Sequence, residues 1–511
     1  MSKRKTALFS VPPHEGLEDF ARKLSKAGWS IIATRDARKF LKEKGAECVD
    51  VAEFVGEKDS YGFPPTLHPK IEAALTTDSA QRIDLVYDIT YGLDVGNDVG
   101  GHTLLALAAK GGRIPVHTPE DMQLVVASIS KTGDVGNELR EYLIEKTNFK
   151  LTDHFLELLC DSKGGNFTGL LGERKWALKE GENTYQSPSH LYEQKGNDEL
   201  GIPRFNQVSD EPPCFTNVAD LDSILETLSR LKEALSLNGI PGAFIAVAAK
   251  HGNACGVGVN LTDQSKAIEA ALWGDAKGIW GGEVITNFPI DESHAQLLLE
   301  SEKRKETLGS PSWMLDVLAC PSLSEGALEA LSSRKNRKLF VNPNLSMTNL
   351  RSEKMLIRQV RGGFLTQPPG TYVLDLNKVE WVNKPASEKT KTFDFLISWA
   401  VAYTSNHGGN EVAIAKDGAL VGVGGGPSTI DAANTALSRA KEQGHETTNA
   451  IFCADAFFPF TDVPEILSSA GCIGGTVPAG GKREEEVRKF FDKQSMSVGF
   501  IPSQYRGFFR H

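Results

Sequence analysis

The chain has no C-x-x-C pair, no apolar run of membrane-spanning length and no excess of basic residues, and each lack removes a class of protein. Its seven cysteines, at 48, 160, 214, 255, 320, 453 and 472, are odd in number and widely scattered. That excludes a disulfide framework and a zinc ribbon, and it fits a reduced compartment. The amino terminus, MSKRKTALFSV, lacks the longer apolar region and small-residue cleavage site of a secretory leader, so the expectation is a soluble cytoplasmic protein with no membrane partner. Lys and Arg number 56 against 66 Asp and Glu, a formal charge of -10 with the signs mixed along the chain. No broad nucleic-acid surface is expected, although a local basic pocket around one phosphate survives this balance.

What is present is length, alternation and repetition. A chain of 511 residues exceeds one compact core and allows two to four domains. KTALFSV, WSIIAT, IDLVYDI and GGRIPV read as short buried strands, and between the first two Leu17, Phe20, Ala21 and Leu24 share one helical face. This alternation predicts a parallel sheet wrapped by helices, a three-layer α/β domain over residues 1–160. Residues 161–213 are polar and rich in Gly, Pro, Asn and Ser, as in a connecting segment. NVADLDSILETLSRLKEALSL then reads as an amphipathic helix with Asp220 or Asp222 as cap, followed by the strand GAFIAVAAK. AVAAKHGNACGVGVNLTDQSKAIEAAL and EVAIAKDGALVGVGGGPSTIDAANTAL both run strand, Lys, turn, G-V-G, polar stretch, then a helix beginning Ile-acid-Ala-Ala. Two similar α/β half-domains follow from this, 214–365 and 366–511.

Lys250 and His251 end the first of those strands. Alone, such a pair reads as a solvated lysine beside a packed histidine. The glycine-rich GNACGVG after it would let a ligand approach the backbone, and the apolar strand before it would hold the pair rigidly. A cation beside an imidazole favours the neutral ring, which suits His251 to act as a base. GVGGGPST lacks the Lys-Ser/Thr ending of a Walker loop and any complete dinucleotide fingerprint, so a close-packed strand-to-helix turn is its better reading. Gly281-Gly282 and Gly362-Gly363 interrupt apolar runs, where strand bulges explain them equally well. Asp455, in CADAFFPFTD, sits where a strand breaks, or caps a helix. His251 and Cys255 have a metal-compatible spacing with nothing to complete a zinc set, so no metal is expected.

AAKHGNACGVG, WALKEGENTYQ, GDAKGIWGGEVITN, RQVRGGFLTQ, NEVAIAKDGALVGVG, CADAFFPF and FFRH stand in an order that resembles the bifunctional purine biosynthesis family, AICAR transformylase/IMP cyclohydrolase. FSV, TLHPKI and NDVGGHTLLALAAK resemble its cyclohydrolase domain, so the likeness covers nearly the whole chain. The resemblance implies a methylglyoxal-synthase-like three-layer domain followed by two cytidine-deaminase-like α/β half-domains, in a homodimer. It implies formyl transfer from the cosubstrate 10-formyltetrahydrofolate to the 5-amino group of AICAR, then closure to IMP with loss of water. His251 matches the family's base. Lys250 matches a lysine that stabilises the oxyanion or assists protonation of the departing folate nitrogen, Asn410 an asparagine at the reacting groups, and Asp455 a folate-side carboxylate. Gly281, Gly282, Gly362 and Gly363 fall in motifs assigned to substrate or folate, and Tyr91, Asp98 and Lys110 align with cyclohydrolase positions.

Departures cluster where substrate is bound. Where the family has Leu-Arg-Tyr-Gly-Glu-Asn-Pro-His-Gln, this chain has Lys179 for arginine and Glu180 for tyrosine. Lysine lacks the bidentate fork, and the glutamate makes a nearby phosphate less welcome. Thr429 falls where an arginine is expected, and SNHGGN carries an insertion before Asn410. ATRDAR replaces the phosphate-binding Ser-Thr-Gly-Gly, Pro65 replaces a lysine, and the segment from Tyr91 to Asp98 is short. The expectation is folate-dependent formyl transfer by the second region and a degenerate first one. A paralogue formylating another amine, or an inactive nucleotide-binding protein, are the alternatives.

Overall fold

The computed structural model describes residues 4–57, 65–78, 81–160, 165–347, 355–385 and 389–506 of the chain. The terminal FFRH motif lies outside these. Two compact units are formed, Met1–Leu171 and Gly172–His511. No helix among the described residues is long and apolar enough to cross a membrane.

In the first unit the strands β1 (Thr6–Ser10), β2 (Ser30–Ala33), β3 (Val49–Asp50), β4 (Leu85–Asp88) and β5 (Ile114–Val116) form one parallel sheet in the order β3-β2-β1-β4-β5. Their unbroken apolar runs follow from burial on both faces. Phe9, Ile31 and Tyr87 pack under helices Leu17–Lys26 and Pro119–Thr132, while Leu8, Ile32 and Val86 pack under Pro69–Thr76 and Val99–Lys110. Leu17, Phe20, Ala21 and Leu24 are all buried, as the helical spacing predicts. This is the expected three-layer α/β arrangement.

The second unit opens with a hairpin of β6 (Glu173–Leu178) and β7 (Ser189–Glu193), then the short β8 (Asn206–Gln207). The first half-domain carries β9 (Phe244–Lys250), β10 (Asn253–Asn260), β11 (Glu283–Thr286), β12 (Val317–Cys320) and β13 (Lys338–Val341). An exposed hairpin, β14 (Leu356–Val360) with β15 (Gly363–Gln367), and the edge strand β16 (Glu380–Val382) follow. The second half-domain carries β17 (Asn410–Lys416), β18 (Ala419–Gly426), β19 (Ile451–Ala454), β20 (Gly474–Pro478) and β21 (Ser497–Ile501). All but the two hairpins join one twelve-stranded sheet, β16-β21-β20-β19-β17-β18-β10-β9-β11-β12-β13-β8. Each half repeats an antiparallel hairpin, a helix, and three parallel strands; the halves meet antiparallel at β10 and β18, with Gly258 opposite Ala419. The internal repeat in the sequence is therefore a duplication in space.

Four sequence readings are corrected here. The G-V-G glycines do not open space for a ligand: a Cβ at Gly256 would fall 1.8 Å from the carbonyl oxygen of Ala271, and one at Gly258 2.1 Å from that of Ala267. Gly422 and Gly424 meet Ala436 in the same way, so both elements exist to seat the following helix against its strand. Helix Phe215–Leu237 begins at Cys214, whose backbone N–H donates to Asn217 Oδ1, so Asp220 and Asp222 lie inside the helix and cap nothing. Gly362 and Gly281 are turn residues, at φ +78° and +68°, beside strands paired without register shift, and not bulges. Residues 161–213 also do more than connect. β8 extends the large sheet, and Leu200, Ile202 and Phe205 are buried in its core, three apolar anchors hidden by a polar average.

Gly256→Ala is expected to destabilise the protein by about 3 kcal/mol through overpacking, read as a lowered urea midpoint. Gly363→Ala, where nothing lies within 4 Å of the added carbon, should change stability by less than about 0.5 kcal/mol. Equal midpoints for the two variants would refute this account of the glycines.

Candidate active site

The turn from β9 into β10 consists of His251 and Gly252, at φ 52° and 70°, with Lys250 paired to Asn253 across it. Positive φ at both central residues is the signature of the type I′ hairpin turn, whose twist matches that of the sheet. The second half repeats the device with Asp417 and Gly418, at φ 52° and 80°. The backbone geometry thus belongs to the duplicated fold, whereas the exposed imidazole is peculiar to the first half.

Lys250 reaches back over the sheet, and its Nζ donates to the Gly281 carbonyl oxygen at 2.5 Å. A Cβ on Gly281 would stand 3.0 Å from that nitrogen and 3.5 Å from Asp316 Oδ2, so the glycine leaves the approach open. Asp316 is held in turn by Arg334, Nη2 to Oδ1 at 2.8 Å. Beneath Lys250 lies Glu283, buried at the start of β11 and hydrogen-bonded to Asp220. Burial, followed by the charge of Asp220, pushes the Glu283 carboxyl up to about 9, and burial raises Asp220 as well. Glu283 is therefore the protonated partner at neutral pH, and the pair faces the charge of Lys250.

Because the halves meet antiparallel, the start of β17 lies against the β9–β10 turn. Asn406 N–H donates to Asn253 Oδ1 at 2.7 Å, and Asn253 Nδ2 donates to the His251 carbonyl oxygen at 3.2 Å. Asn410 sits at the start of β17, its Nδ2 donating to the carbonyl oxygens of Gly426 (3.3 Å) and Pro427 (3.1 Å). The next residue, Glu411, is buried, and its Oε2 lies 2.8 Å from His407 Nδ1. Asp455, at the end of β19, accepts from the Glu411 backbone N–H at 2.8 Å. Burial raises its carboxyl to about 7, against the lowering effect of the hydrogen bond from the Glu411 N–H. Asp455 caps no helix, since the next one starts at Asp462; it forms part of the site's inner wall.

The structure brings Lys250, His251, Gly281 and Gly282 together; the loop that leads to Asn410 reaches this turn through Asn406 and Asn253, while Asn410 itself bonds to Gly426 and Pro427, and Asp455 lies behind its strand. Lys179 and Glu180 follow β6 and are tied by backbone bonds to Pro213 and Phe215, at the start of helix Phe215–Leu237. The Lys179 charge reaches the buried Lys338, whose pKa is lowered first by burial. Gly362 and Gly363 stand apart at the tip of the exposed hairpin. Sequence reasoning missed Glu283, Asp316, Arg334, His407 and Glu411 and gave Asp220 the wrong role. Acids inside the apolar strands GGEVITN and NEVAIAK were the available signal, since an unneutralised carboxylate is rarely buried without purpose.

In the first unit Asp98 caps helix Val99–Lys110, Oδ1 accepting from Gly101 N–H at 2.8 Å, and its Oδ2 accepts weakly from Tyr91 N–H at 3.4 Å. Lys110 does not join them: it ends the same helix twelve residues on, a separation of about 18 Å. Asp88 and Asp98 bracket Gly101, where an added Cβ would meet their oxygens at 2.6 and 2.7 Å. Burial raises the Asp88 carboxyl to about 7. In the segment that replaces the phosphate turn, Arg38 is paired with Asp50 at 3.3 Å. Among the described residues, no group of three His, Cys, Asp or Glu could hold a metal ion.

The AICARFT/IMPCHase bienzyme family matches residues 113–439, and an MGS-like domain matches residues 16–106. The bifunctional purine biosynthesis proteins PurH of Bacillus cereus (strain AH820) and of Bacillus anthracis are each 27% identical over 535 residues, covering 97% of this chain and 98% of their own. The crystal structure of ForH is 24% identical, over 31% of this chain and 97% of its own, with a TM-score of 0.28. With the family match spanning more than half of its residues and the relatives aligned nearly end to end, the chain belongs to the AICARFT/IMPCHase bienzyme family.

Proposed function

We propose that the second unit transfers a formyl group from 10-formyltetrahydrofolate to the 5-amino group of AICAR. The observation that carries the reading is the junction of the half-domains, where the Lys250–His251 turn of one meets the Asn410 strand of the other through Asn253 and Asn406. The acceptor amine is a poor nucleophile, because its lone pair is delocalised into the imidazole and carboxamide. His251 takes the amine proton as the nitrogen bonds to the formyl carbon, and the Lys250 ammonium stabilises the oxyanion that forms. Collapse of this adduct breaks the bond to the folate nitrogen, which leaves with a proton. Gly281 lets the acceptor approach Lys250, and Asp455 stiffens the folate side through Glu411. The enzyme would act in the cytoplasm as a homodimer. The exposed apolar residues of the β14–β15 hairpin, among them Leu356, Ile357, Phe364 and Leu365, fit a face covered by a second copy.

Ring closure by the first unit is the weaker part of the family's activity here. The paired carboxyls Asp88 and Asp98, the remoteness of Lys110 and the loss of lysine at Pro65 leave little to attract a phosphate or deliver a proton. The purified protein, given 10-formyltetrahydrofolate and AICAR, is expected to release tetrahydrofolate and accumulate formylated AICAR with little IMP. Stoichiometric IMP would overturn the reading of the first unit. No tetrahydrofolate from folded protein would overturn that of the second. Turnover only with a different amine would favour the second reading, a paralogue with altered acceptor specificity, which the Lys179 and Glu180 departures support.

A further inference from the structure

Formyl transfer between two nitrogens needs two proton movements, one away from the attacking amine and one onto the departing nitrogen. The loop bonded to the His251 turn carries a second imidazole that the mechanism above does not use. His407 lies in the loop preceding Asn410, one residue from the Asn406 N–H that binds Asn253, so the loops bearing His251 and His407 are joined by two hydrogen bonds through one side chain. Its ring is held: Nδ1 lies 2.8 Å from Glu411 Oε2, and the His407 backbone N–H donates to Glu411 Oε1. The Glu411 side chain is 1% exposed and that of His407 13%. Glu411 is itself fixed from behind, its backbone N–H bonded to Asp455 Oδ1 at 2.8 Å.

Room for the pair is built into the neighbouring strand. A Cβ on Gly425 would fall 2.3 Å from Glu411 Oε1 and 2.6 Å from His407 Cβ, so this third glycine of VGVGGG admits the dyad where its predecessors seat a helix. A carboxylate on Nδ1 fixes the tautomer and orientation of an imidazole and leaves Nε2 as the edge for proton exchange. Among the described residues, the other charged or titratable groups near the loop are Asp455 behind Glu411, Asp431 against Gly426, and, across the junction, His251 with Lys250, Asp220 and Glu283.

We propose that His407, oriented by Glu411, is the general acid that protonates the departing folate nitrogen. This rests on the formyl-transfer reading of the same site. The bond from the acceptor nitrogen to the formyl carbon forms while His251 takes the amine proton. The bond from the formyl carbon to the folate nitrogen breaks, and that nitrogen receives its electron pair together with the His407 proton. His251 ends protonated and His407 neutral, and exchange with water restores both between turnovers. Lys250 remains charged throughout and serves the oxyanion alone.

The test compares His407→Asn, which keeps a donor toward Glu411, with wild type, using 10-formyltetrahydrofolate and an analogue whose aryl amine carries an electron-withdrawing substituent. Departure of the less basic nitrogen needs less help from an acid. With the natural donor, kcat should fall by about 10²-fold; with the activated donor the deficit should shrink to less than about tenfold. Glu411→Gln should show the same pattern with a smaller loss and covers the case in which His407→Asn does not fold. A deficit equal for both donors, or a kcat within twofold of wild type, would overturn the assignment. Wild-type protein inactive with both donors would instead overturn the formyl-transfer reading, which keeps the two failures distinct.

Discussion

His251→Asn is expected to lower kcat for tetrahydrofolate release by about 10² to 10⁴-fold, the usual contribution of a positioned proton acceptor, with little change in stability. Asparagine is the informative replacement because residue 251 sits at φ 52°, where asparagine is tolerated better than alanine. The hairpin is then preserved while the base is lost. The duplicated turn supplies an internal control: Asp417→Asn changes the matching residue at the same φ and should leave kcat within about twofold, since it removes no base from the junction. Steady-state kinetics, with thermal melts of both variants, decide the matter. An active His251→Asn enzyme would remove the imidazole from the mechanism and leave the Lys250 end of β9 as a structural hairpin.

Stability of the second unit is expected to fall as pH rises from about 5 to 9, and Glu283→Gln should flatten that fall. The Glu283 carboxyl, raised to about 9 by burial and by Asp220, binds its proton in the folded chain where the unfolded chain has already released it. Between the ordinary glutamate value and 9 the native state therefore holds about one proton more. The free energy of unfolding declines by up to about 1.4 kcal/mol per pH unit. The contribution is intact below the unfolded pKa and lost as pH rises through the folded one, the reverse of a salt-bridged carboxylate. Glutamine still donates to Asp220 but cannot ionise. Trp29 is the one tryptophan of seven in the first unit, so fluorescence-detected urea unfolding reports chiefly on the second. Parallel midpoint-versus-pH curves for wild type and Glu283→Gln would show that residue 283 gains no extra proton on folding.

Composition and periodicity made the architecture legible because they record burial. Apolar strand runs, the spacing of Leu17, Phe20, Ala21 and Leu24, and the repeated strand-turn-G-V-G-helix pattern each follow from local rules of one element. Local rules misassigned residues whose role is set by a distant partner. Gly256 reads as space for a ligand until helix Gln264–Gly274 is seen to fill it. Asp220 reads as a cap until the helix is seen to begin at Cys214 and Glu283 arrives from β11 as its partner.

By itself the sequence determined the class of each unit, the duplication and the Lys250–His251 turn, because these depend on side-chain polarity and on residues adjacent in the chain. Only the tertiary structure decided which groups share the site. The antiparallel meeting of β10 and β18 brings residues more than 150 positions apart, such as Asn253 and Asn406, within one hydrogen bond. The same sheet buries Glu283, Glu411 and Asp455 and sets them against half-buried partners, Asp220 and His407 among them. Proton affinity depends on such burial and pairing, which arise when the sheet closes and are encoded in no single segment.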